Sequence, residues 1–174
     1  MPDFQRANLV KAFGILWLLL IPAAIAIMWA DLQLRTDEAP DGIISFELCH
    51  FSNSCQTILD SWDAKAQLYA MFSLGFDYLF MLLYPGLIAV GLLLLAANHA
   101  EPSKRRLTLL AYSCVIMSLG DAIENYGLIQ MLLGNSIETY GPIAAWFATA
   151  KFAVLAVSLP AVLGFFLLGL ISKK

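Results

Sequence analysis

Four ionisable residues interrupt stretches that are otherwise apolar: Asp77, Asp121, Glu124 and Lys151. A charge left facing lipid costs roughly 2.5–3.5 kcal/mol on insertion scales. Turning all four inward, where they meet, avoids that cost. Asp121 and Glu124 are three residues apart and Asn125 is four from Asp121, so they share one helix face. Ser118 is read as joining that face, and Ser73, Asp77 and Tyr84 follow a similar stripe. Lys151 is the one cation placed inside the membrane, Lys11 being counted with the amino-terminal flank. The acids outnumber it, so the group is expected to hold a proton at neutral pH. Two readings follow. One is a buried ion pair that fixes helix register. The other is a polar pocket, open towards one surface, for a small ligand, an ion or a lipid headgroup.

Other chemistry is scarce. Cys49 and Cys55 are close enough in sequence to form a disulfide in an oxidising compartment. A redox-exchange role lacks its C-x-x-C motif, and Cys114 stands alone. His50 and His99 fall at opposite membrane faces, where they cannot share a metal, so both are read as solvated. No metal site and no cofactor is expected. The chain has no Gly-rich phosphate loop, no H-E-x-x-H and no G-x-S-x-G. Whether it is an enzyme stays open at this point.

The elements that must position these residues are four long apolar runs, about 9–30, 69–97, 107–133 and 143–171. Of 174 residues 60% are apolar and 13% charged, against about 25% charged in soluble domains. Each run reaches the ~20 residues a helix needs to cross the hydrocarbon core. The expected fold is therefore all-α, a single four-helix transmembrane bundle. The four charges then lie at one level, about 14–20 Å from one set of helix ends. A net charge of −3 offers no basic surface for nucleic acid.

Orientation comes from Lys and Arg. Arg6, Lys11, Lys104, Arg105, Arg106, Lys173 and Lys174 fall on one side, and Arg35 and Lys65 on the other. The positive-inside rule puts both termini in the cytoplasm. The first run flows into Asp31 without a small-residue cleavage site, so it is read as a retained span. The external loop between the first two spans, 31–67, is acidic and expected to be partly ordered. In it Ile43–Leu48 is too short and irregular for a span. Residues 56–62 put Ile58, Leu59 and Trp62 on one face, predicting a short surface helix capped by Ser52 or Asn53. The second external loop is placed at 134–142.

Pro22, Pro85 and Pro160 mark kinks. Trp17, Trp29, Trp62 and Trp146 are read as interface anchors, with Trp17 deeper than the rest. Gly120, Gly127, Gly164 and Gly169 are expected to allow close helix contact.

Three blocks resemble a group of small bacterial four-span integral membrane proteins. They are Phe76-Asp77-Tyr78-Leu79-Phe80 followed by Tyr84, then Asp121-Ala122-Ile123-Glu124-Asn125, then Thr149-Ala150-Lys151. The resemblance covers about 64–171 and implies a bacterial inner-membrane location, with no activity attached. A weaker likeness is to the sterol-isomerase and sigma-2-receptor group, in which acids face an intramembrane pocket. The chain lacks the pocket histidine of the isomerases.

Two functions are expected. The first is an accessory or scaffold subunit, held together by the charge cluster and partnered by another membrane protein or a second copy. The second is a binding protein or enzyme whose outer-leaflet pocket takes a lipid-like or cationic molecule. The accessory reading is placed first, because no nucleophile, metal or cofactor motif accompanies the acids. The bilayer is the partner common to both.

Overall fold

The computed structural model describes residues 3–171, and side chains over 4–164. The chain forms seven helices: α1 (Asp3–Asp31), α2 (Ile43–Glu47), α3 (Cys49–Ser52), α4 (Cys55–Ser61), α5 (Ala64–Ala96), α6 (Ser103–Leu132) and α7 (Ile137–Ile171). No strand occurs among the described residues. Four helices, α1, α5, α6 and α7, are long and apolar enough to cross a membrane, and they form a bundle. Lys173 and Lys174, counted above for orientation, lie outside the described residues.

The helix boundaries have local causes. Asp63 caps α5, its carboxylate accepting the Ala66 amide at 2.7 Å. The chain leaves α6 through Gly134 at φ 83°, a backbone state that favours glycine. Ser136 then accepts the Thr139 amide at 3.3 Å. This cap starts α7 at Ile137, six residues before the expected 143, and leaves Pro142 inside the helix. The second interhelical loop is correspondingly shorter than 134–142.

Packing among the long helices is uneven. α5 packs on α1, α6 and α7, and α6 packs along α7. Among the long helices α1 packs closely on α5 alone. The consequence shows in burial: 61% of the apolar window of α5 is buried, against 6% for α1. Gly127 lets α6 approach the Tyr140 carbonyl and Ala144 of α7, and Gly120 meets Phe147. Gly164 has no neighbour within 4 Å, and the surroundings of Gly169 lie outside the described side chains.

The segment from α1 to α5 is a folded cap, more ordered than the sequence suggests. Leu34, Phe46, Ile58 and Trp62 are buried with Leu74, Leu128 and Ala144 of the bundle in one core. Trp62 is not an interface anchor. It is buried, stacks edge-on with Phe46 at 5.2 Å, and donates its indole N–H to the Leu34 carbonyl at 2.8 Å. The expected helix at 56–62 is α4, but its N-cap is Ser54, whose side chain makes no capping bond. Asn53 instead takes the left-handed turn that ends α3 (φ 53°), so neither Ser52 nor Asn53 caps α4. Cys49 and Cys55 form a disulfide that ties α3 to α4.

In the irregular stretch 43–48, Ile43–Glu47 form helix α2. Its start is held from α1: an Asp31 oxygen accepts the Ile43 amide at 2.8 Å. Gly42 makes this clamp feasible. Its φ is 58°, and a Cβ there would overlap the Asp31 carboxylate. Clamped in this way, α2 lays Phe46 and Glu47 into the bundle.

Candidate functional site

The site forms where α2 meets α5, α6 and α7. Lys151 of α7 is buried, and its ammonium donates to three carboxylates: Glu124 Oε1 at 2.8 Å, Asp121 Oδ1 at 3.1 Å and Glu47 Oε2 at 3.3 Å. An ammonium carries three N–H donors, so this geometry uses all of them. Asp121 receives a second bond at its other oxygen, from the Tyr84 hydroxyl of α5 at 2.6 Å. Asp77 is held differently. Its Oδ2 accepts the Asn125 amide at 2.7 Å, and no ion pair among the described residues includes it. Buried Glu124 Oε2 has no hydrogen-bond partner among the described residues.

Thus the structure brings Asp77, Tyr84, Asp121, Glu124, Asn125 and Lys151 together, as the spacing implied. Ser118 does not join them: it is half-buried, makes no bond to the cluster and does not line the adjoining cavity. The reason is angular. Three residues before Asp121 is about 60° round the helix, and Glu124 lies about 60° the other way. Ser73 is buried on the cavity wall.

Glu47 is the site residue that sequence reasoning missed. It lies in the acidic loop 31–67, yet it is buried against Lys151. The available signal was its setting, a lone acid in the apolar run Ile43-Ile44-Ser45-Phe46-Glu47-Leu48. Burial pushes the Glu47 carboxyl above its ordinary value, Lys151 pulls it back, and Asp121 pushes it up again. Three carboxylates thus contact one amine, and a fourth, Asp77, lies beside them on Asn125.

Beside the cluster lies a cavity of about 420 Å³. Glu47, Asp77, Asp121, Asn125 and Lys151 form its polar end, together with Ser73 and Tyr84. From there the walls are apolar: Phe13, Trp17 and Leu20 of α1, Leu87 and Ile88 of α5, and Phe152, Leu155 and Val162 of α7. α1 and α7 both supply walls, and each packs on α5 more closely than on the other. At the far end Phe13 and Val162 converge on Gly91, where a Cβ would stand 3.1 Å from Val162.

No group of three or more His, Cys, Asp or Glu side chains among the described residues has the arrangement of a metal site. His50 is half-buried on α3, and the His99 ring contacts the Leu95 carbonyl at 3.0 Å. Trp17 lines the cavity, whereas Trp29 packs on Tyr69 and Trp146 on Phe51. No family model matches the chain, and neither does a curated protein or a solved structure.

Proposed function

We propose that this protein binds an amphiphile with a cationic head, taken up from the outer leaflet of a bacterial inner membrane. One observation carries the reading: a cavity with apolar walls from α1, α5 and α7 ends at carboxylates that outnumber their amine. Lys151 spends its donors on Glu47, Asp121 and Glu124, which leaves Asp77 as the carboxylate on the cavity wall without a cation. A cationic head placed there satisfies Asp77 in a low-dielectric setting, where such a pair is strong. Outward orientation of the cap is supported by the Lys and Arg distribution and by the Cys49–Cys55 disulfide, which suits an oxidising side. The bacterial inner membrane rests on the three-block resemblance.

The reading stops at binding. An accessory-subunit role is the second reading. It is favoured by the way the Lys151 cluster ties α2, α6 and α7 together, which a purely structural device also does.

The experiment compares dodecylamine and dodecanol binding to the protein in nanodiscs. Asp77→Asn is expected to weaken dodecylamine about tenfold, near 1.4 kcal/mol, and to leave dodecanol unchanged. Equal effects on both ligands, or none on either, would overturn the proposal.

A further inference from the structure

The cavity has a length as well as a chemistry. Its charged level is set by Asp77 on α5 and Lys151 on α7. Its far end is set by Ile88 and Val162 on the same two helices. Each pair is eleven residues apart, about 16 Å along a helix. α5 and α7 run in the same direction, so the two walls agree on one depth, and between the two levels the lining side chains other than Tyr84 are apolar. An extended alkyl chain advances about 1.25 Å per carbon, given C–C bonds of about 1.5 Å. About 13 carbons therefore run from the charged level to the floor at Phe13, Gly91 and Val162.

Resting on the amphiphile reading above, we infer that the ligand is a long-chain amphiphile whose extended chain lies parallel to the helices. Its head is at Asp77 and its terminus is at the Phe13–Val162 floor. The chain slips in sideways between α1 and α7, because that flank presents side chains from both helices without close packing between them. A chain entering from lipid never has to expose methylenes to water. The head meets the one polar patch in the cavity, which fixes the direction of binding. The floor sets the length: a longer chain is blocked by the Val162 contact with Gly91.

The test uses alkylamines carrying a diazirine near the chain end, photolysed on the protein in nanodiscs, with labelled residues mapped by mass spectrometry. A tetradecylamine probe is expected to label α1 around Phe13 and α7 around Val162. Excess unlabelled tetradecylamine should displace it on the order of tenfold better than octylamine, which leaves much of the shaft unfilled. Leu159→Trp puts a ring about 12 Å down the shaft, past the reach of an octyl chain, and should abolish the preference for tetradecylamine while octylamine binding persists. Leu159→Phe, with a smaller ring, serves if the first variant does not fold.

Saturable labelling that maps only to the charged level, with octylamine and tetradecylamine equal, overturns the chain assignment and leaves the amphiphile site standing. A sterylamine that displaces the probe as well as tetradecylamine does also overturns it. No saturable labelling by any amine overturns both this inference and the site.

Discussion

The two ends of the bundle are built on different principles. At the cap end, three short helices, a disulfide and a buried ion cluster close over α5, α6 and α7. At the other end Ile88, Ala89, Leu92, Ala111, Cys114 and Val162 pack as an apolar core without ionic ties. The first arrangement is specified by directional bonds, the second by shape and volume. Directional bonds are worth little net, yet they are expensive to leave half-made. Damage at the cap end should therefore be sharp and chemistry-specific, and damage at the far end graded with volume.

The largest effect should come from Lys151→Met. It strands three buried carboxylates and is expected to cost about 3–5 kcal/mol, read from unfolding in detergent. A variant as stable as the parent would show that the cluster is not what holds the cap end. Next is the pair Cys49→Ser with Cys55→Ser. Releasing a loop this short should cost about 2 kcal/mol, felt in the cap and not in the far core. Hydrogen exchange resolves the two: faster exchange over 43–62 with the far-end helices unchanged sharpens the contrast, and uniform acceleration breaks it.

The smallest effect is a pH dependence. Burial is the main influence on Glu47 and raises its carboxyl above the ordinary 4.5. The folded cap thus holds that proton more tightly than the unfolded segment does. This contribution to docking is complete below 4.5 and is lost as pH rises through the raised folded value. Trp62 fluorescence should report looser cap packing as pH climbs. Glu47→Gln should flatten that curve, and an unchanged curve would remove Glu47 from the account.

The four long helices were readable because spans need long apolar runs, and nothing else in a bilayer satisfies the backbone. The meeting of Asp77, Asp121, Glu124, Asn125 and Lys151 was readable for a related reason, since a bilayer penalises each charge that turns outward. Glu47 was not, because in a loop a carboxylate is usually solvated and its burial here depends on the Asp31–Gly42 clamp. Trp62 misled in the same way: its position near a span end suited an anchor, and only the fold of the cap buries it. The polar end of the cavity was suggested by the charges, but its apolar walls left no sequence signature, because Phe13, Trp17 and Leu155 look the same whether they face lipid or a void.

The clamp has a mechanical corollary. Asp31 is the last residue of α1 and also holds the first amide of α2, while α2 ends in Glu47. The most weakly seated long helix is thereby geared to the ammonium at the heart of the bundle. Any displacement of α1 would pull on the same rod that seats Glu47 and so loosen one of the three acids on Lys151.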